Sequence, residues 1–158
     1  MPSNGEIAAL CRKSLEAAKV GDGPVEVQNG TDFYKYFFTT CPDLRVYFKG
    51  AENFTADDVQ KSKRFEQQGQ RILLATHLLS QIYENQDVFK SYVREMISRH
   101  IQYKMDPALY MAFFPVFIGF LKTKTTIDKA TEDAWLAVGK GYSDEANKYL
   151  AAHGLPHV

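Results

Sequence analysis

The stretch MISRHIQYKMDP, Met96 to Pro107, sets a lone histidine at the end of an amphipathic run that stops before a proline. His100 is one of four histidines in the chain, and its value as a ligand depends on its neighbours. Metal sites made of protein donors alone need about three or four clustered ligands; no Glu-x-x-His or paired-cysteine spacing occurs here, and the one His-x-x-x-His spacing, His153 to His157, is interrupted by Gly154 and Pro156. That argues against zinc. A porphyrin already supplies four nitrogens to its iron, so a haem site asks for only one protein histidine. It also asks for a wide apolar slot between helices. The competing reading is an ordinary surface or hydrogen-bonded core histidine, and the stretch by itself leaves both open.

The elements that would position His100 belong to a chain of 158 residues with 19 basic and 19 acidic side chains. That length suits one domain, 1–158, burying about 68–70% of its unfolded surface without a covalent staple. Zero formal charge offers no overall basic field to nucleic acid or an anionic membrane. Cys11 and Cys41 are too few for a disulfide framework, and the charged N-terminal segment lacks a signal-like apolar core. A reducing, cytoplasmic setting is expected. The most apolar stretch, Leu109 to Leu121, is shorter than the roughly 20 residues that cross a bilayer and predicts a buried helix.

Helical punctuation recurs along the whole chain, and no convincing alternating strand appears, so the fold class is all-α. Ser3 and Glu6 match a capping box for a first helix that ends at GDGP, Gly21 to Pro24. A second helix is expected from about Val25 to Thr40, before the turn at Pro42. A third begins near Thr55, with Asp58 as capping partner, and runs through FEQQGQRILLATHLLSQIY. Asp87 is the expected cap of a fourth, Val88 to about Tyr103. Asp106 with Pro107 reads as a cap plus first-turn proline for a fifth, and the last spans roughly Thr131 to Ala152 before Gly154.

Two glycines break the local rules, because Gly30 and Gly69 lie inside the second and third helices at about 1 kcal/mol each relative to alanine. Either they are tolerated, or two backbones cross closely there. Pro115 interrupts the fifth helix as a kink with a packing role.

Taken in order, these landmarks resemble the globins, and more narrowly the nematode globins, over nearly the whole chain. In that family a phenylalanine lies six residues after the proline of a short helix, as Phe48 follows Pro42. A distal residue directly precedes a glycine, as Gln68 precedes Gly69. The proximal histidine follows about thirty residues later and seven before a helix-opening proline, as His100 precedes Pro107. Small residues at a helix crossing fit Gly30 and Gly69. The resemblance implies a globin fold, a three-over-three helical sandwich around a haem pocket.

It also implies roles. His100 is the proximal ligand of haem b iron, with its second ring N–H donated to the Met96 carbonyl. Phe48 stacks on the haem. Tyr34, eight residues before Pro42, and Gln68 are distal oxygen-binding donors, and Ile72, one turn after Gln68, closes the pocket. A distal tyrosine with glutamine resembles the nematode arrangement associated with tight oxygen retention, and departs from the vertebrate leucine and histidine. Arg71 and Lys104 stand where family members reach the propionates, while Met96, Tyr110, Met111 and Phe114 complete the walls. Arg99 occupies the place where vertebrate globins often have a hydroxyl, which leaves the orientation of the imidazole open. His77, His153 and His157 carry no role.

The function so implied is reversible, high-affinity binding of dioxygen for storage, transport or buffering, with carbon monoxide and nitric oxide as further ligands. It is not primarily an enzyme. The competing classes are a nitric oxide dioxygenase or peroxidase-like haem enzyme, which would need a separate reductant, and an oxygen or redox sensor. Family members occur as monomers, dimers and larger assemblies, so a homodimer is among the arrangements expected.

Overall fold

Side-chain oxygens at the helix starts set most element boundaries. A computed structural model describes all 158 residues and contains seven α-helices and no strand. Ser3 and Glu6 form the expected reciprocal box at α1 (Asn4–Ser14), and α2 (Pro24–Thr40) opens on proline. The expected third helix is in fact two. Thr55 and Asp58 box a short α3 (Ala56–Gln60), and Ser62 then leaves helical geometry to cap α4 (Lys63–Ile82), accepting from the Phe65 N–H at 3.3 Å.

Other boundaries differ from expectation as well: α1 stops at Ser14 and passes into a 3₁₀ turn, Leu15–Ala17, several residues short of Gly21. Asn85, not Asp87, caps α5 (Gln86–His100) by accepting from the Val88 N–H at 3.3 Å. Asp87 lies in the first turn, where its carboxylate faces the positive end of the helix dipole. The chain then tightens into a 3₁₀ turn, Ile101–Tyr103. Asp106 accepts from the Ala108 N–H at 3.0 Å, so the Pro107 turn precedes α6 (Leu109–Lys122) and does not form its first turn. Asp128 caps α7 (Lys129–Ala152) by accepting from the Thr131 N–H at 2.8 Å, which starts that helix two residues early. Gly154 ends it with φ 66°.

The helices form the three-over-three sandwich of the globin fold. One layer holds α1, α4 and α5, the other α2, α6 and α7, and the layers meet where α2 crosses α4 and where α7 packs on α1 and α5. Phe33, Phe65, Phe114, Phe117, Phe120 and Trp135 are almost fully buried between them. Trp135 donates its indole N–H to Ser14 Oγ at 2.9 Å, joining α7 to α1. Glu145 is 6% exposed and is held by Arg94 Nη1 at 2.9 Å, joining α7 to α5. Pro115 lies inside α6 with its ring on the exposed side.

The crossing of α2 and α4 explains both irregular glycines. A Cβ added to Gly30 would lie 2.5 Å from the Gly69 carbonyl carbon, and one added to Gly69 would lie 2.3 Å from that of Gly30. Backbone meets backbone. Gln70 Nε2 reinforces the crossing by donating to the Glu26 carbonyl at 2.9 Å. Gly69→Leu should destabilise the fold by at least the ~1–3 kcal/mol typical of overpacking, read as a lowered denaturant midpoint. An unchanged midpoint at unchanged slope would remove the crossing argument.

Candidate functional site

His100 closes α5, and its position four residues after Met96 brings its ring back over the preceding turn. Nδ1 lies 2.7 Å from the Met96 carbonyl oxygen. A carbonyl can only accept, so Nδ1 carries the proton and Nε2 keeps its lone pair for a metal. Arg99 turns away to Glu95 at 3.0 Å, so the imidazole is oriented by the Met96 bond without help from the residue before it. The ring is half-buried and meets Tyr103 edge-to-face at 5.8 Å between centroids.

On the face of α2, Tyr34 is buried at 7% exposure inside a cage of rings. Phe65 lies at 5.1 Å, Phe33 at 5.4 Å and Phe48 at 5.6 Å between centroids. Burial pushes the Tyr34 phenol well above its ordinary pKa, with the Arg64 and Arg71 charges opposing the shift only in part. The group is therefore a neutral O–H, a donor. Gln68 on α4 has a buried Oε1 with no hydrogen-bond partner, and Ile72, one turn on, is half-buried on the same side.

The other expected site residues divide by burial. Phe48 is half-buried, and besides Tyr34 it touches Phe38 at 5.2 Å. Met96 and Met111 are half-buried, while Tyr110 is 7% exposed and burial raises its pKa. Phe114 is fully buried against Gly139, whose Cβ would lie 2.7 Å from its ring, so it serves the α6–α7 contact. Arg71 and Lys104 are exposed and pair with no carboxylate of the chain. Lys104 stands at φ 50°, the one non-glycine residue in the left-handed region.

Arg64 was not singled out from the sequence, although it lies one turn before Gln68 on the same helix face. Its Nη1 donates to the Lys49 carbonyl at 2.7 Å, and its guanidinium covers the Phe65 ring at 5.1 Å. It thus ties the segment after Phe48 to α4. The remaining histidines are engaged elsewhere: His77 Nε2 lies 2.9 Å from the Ala18 carbonyl, and His153 Nδ1 lies 2.9 Å from that of Tyr149.

These residues fit a haem. An imidazole nitrogen is left free, the exposed cations Arg71 and Lys104 have no carboxylate partner, and the buried Gln68 oxygen is orphaned. An unsatisfied buried polar atom costs about 1–3 kcal/mol, so a group that brings a polar partner to it is favoured. No cluster of three or more His, Cys, Asp or Glu side chains forms an alternative metal centre.

Comparison with known proteins bears on the same reading. The sequence model of the globin family matches residues 31–146. The chain is 57% identical over 153 residues to a globin-like protein of Caenorhabditis elegans, covering 97% of this chain and 96% of that one. It is 49% identical to a myoglobin of Nippostrongylus brasiliensis, covering 97% and 99%. A solved structure of a C. elegans globin-like protein superposes with a TM-score of 0.99 at 55% identity, covering both chains completely. The chain belongs to the globin family and is similar to its nematode members.

Proposed function

We propose that this globin is one domain, 1–158, that binds one haem b and holds dioxygen reversibly and with high affinity, for storage, transport or buffering. The observation that carries the reading is that two buried polar groups, the Tyr34 phenol among aromatic rings and the unpartnered Gln68 carboxamide oxygen, stand on the two helices that cross at Gly30 and Gly69. Haem supplies, when bound, an iron with an open position for a diatomic gas. Everything else is done by the chain. His100 Nε2 holds the metal, and the Met96 carbonyl fixes the imidazole tautomer and ring direction. With haem bound, Arg71 and Lys104 would neutralise its propionates, Phe48 would pack on the macrocycle, and Met96, Ile72, Tyr110 and Met111 would exclude water.

Tyr34 remains a phenol because its burial disfavours the phenolate. Its O–H donates to a ligand that gathers negative charge, and a half-turn of the Gln68 carboxamide aims Nε2 where Oε1 now lies. Dioxygen gathers such charge and carbon monoxide far less, so the two donors retain one gas preferentially. Nitric oxide is a further ligand of the same pocket. A cytoplasmic location is supported by the two unpaired cysteines, Cys11 and Cys41. No helix is long and apolar enough to cross a membrane.

His100→Ala should yield a folded, largely haem-free protein. A normal five-coordinate ferrous spectrum in that variant, without added imidazole, would refute the proximal assignment. Tyr34→Phe keeps the ring and removes the hydroxyl. A hydrogen bond to a charged acceptor contributes about 1.5–3 kcal/mol, so oxygen affinity should fall on the order of 10- to 150-fold, mostly as faster dissociation. Stopped-flow displacement reads this directly, with carbon monoxide dissociation expected to change little. An oxygen off-rate within about twofold of the parent would withdraw the high-affinity reading, being far below the effect of such a bond.

A further inference from the structure

The helix that ends in His100 has a single polar tie to a distant element. Along α5 the side chains of Phe89, Val93 and Ile97, spaced by four, are fully buried and seat the helix on its neighbours. Apolar burial has no preferred direction, so it constrains position along the helix axis less than depth. The side-chain hydrogen bonds of α5 reach no further than four residues along the chain, with one exception. Arg94 Nη1 donates to Glu145 Oε1 on α7 at 2.9 Å, across 51 positions. Its Nη2 donates to Ser91 Oγ at 3.0 Å, and Ser91 donates to the Asp87 carbonyl at 2.8 Å, so the guanidinium is braced on its own helix before it crosses.

Burying a carboxylate is costly, and neither the distal donors nor the Met96–His100 bond touches Glu145. One turn earlier on both helices the contact is apolar and close, since a Cβ added to Gly141 would lie 3.4 Å from the Phe89 ring. The two helices thus run side by side from Phe89 to Arg94, apolar at one end of the contact and ionic at the other. Beyond Arg94 the helix continues unbroken for six residues, about 9 Å, to His100. An axial shift at Arg94 therefore arrives at the imidazole.

We propose that Glu145 is a positioning residue for the proximal histidine: its ion pair with Arg94 fixes the axial register of α5 on α7, and with it the position from which His100 Nε2 reaches the metal. The proposal rests on haem ligation by His100. A proximal restraint acts through the metal–imidazole bond and so reaches every diatomic ligand alike. The Tyr34 and Gln68 donors favour only the ligand that gathers negative charge. The two effects are separable in solution.

The test compares haem-loaded parent, Glu145→Gln, Arg94→Lys and Trp135→Phe. Glu145→Gln keeps the side-chain size and removes the charge, Arg94→Lys keeps the charge and loses the planar fork, and Trp135→Phe breaks the bond to Ser14 as a control for lost stability alone. Denaturant midpoints are measured for all four, and resonance Raman spectra of the ferrous, unliganded forms read the iron–imidazole stretch. In Glu145→Gln that band should shift and broaden, and oxygen and carbon monoxide dissociation should change by the same factor, at least about fivefold, the lower end of coupling between distant sites. Arg94→Lys should fall between it and the parent, and Trp135→Phe should lower the midpoint with the band in place. The positioning role is overturned, with the haem reading intact, if Glu145→Gln leaves band and rates unchanged, if it alters oxygen dissociation alone, or if Trp135→Phe displaces the band as far. Should Glu145→Gln fail to retain haem, a parent-like band in Arg94→Lys overturns it and a displaced one upholds it. If the parent itself shows no iron–imidazole band, ligation by His100 falls and the positioning role with it.

Discussion

Between Gly30 and Gly69 nothing but hydrogen separates two helix backbones, and the pocket is laid out from that contact. Tyr34 lies four residues beyond Gly30, on the same face of α2, and Gln68 directly precedes Gly69 on α4. The closeness of the crossing therefore sets how near the two donors come. A side chain at either glycine would push the helices apart and carry Tyr34 and Gln68 with them. The Gln70 bond to the Glu26 carbonyl, one turn before Gly30, holds the same crossing from its polar side.

The site joins this contact to groups whose polar needs the chain does not meet. Tyr34 is buried among rings, and the Gln68 oxygen has no partner, although native interiors rarely leave such atoms unpaired. The opposition between stability and function is direct here. Apolar residues at both positions would relieve the desolvation of these groups and remove the means of holding a polar ligand. The aromatic cage of Phe33, Phe48 and Phe65 supplies the rigidity that fixes the Tyr34 ring.

What could be read from the sequence was what local spacing encodes. The Met96–His100 bond follows from the four-residue period of one helix, and the two glycines stood out because they break helix propensity. Helix starts were legible only in part: Thr55 with Asp58 and Ser62 both offer cap oxygens within one apolar pattern, and the continuous pattern concealed the break between them. Asn85 and Asp87 compete in the same way. Contacts between distant segments left no local trace. The Arg94–Glu145 pair spans 51 positions and the Trp135–Ser14 bond 121, so neither has a period to betray it. Arg64 was a middle case, since its helix face was readable and its Lys49 partner was not.

The Trp135–Ser14 bond has an optical corollary. Trp135 is the sole indole of the chain, fully enclosed, and its N–H ends on a hydroxyl of α1 that itself donates to the Cys11 carbonyl at 2.7 Å. Intrinsic indole emission from this protein thus comes from one address. Its wavelength registers whether the N-terminal helix is seated on the last one, and detachment of α1 alone, with the remaining helices intact, would be visible as a red shift toward the spectrum of indole in water.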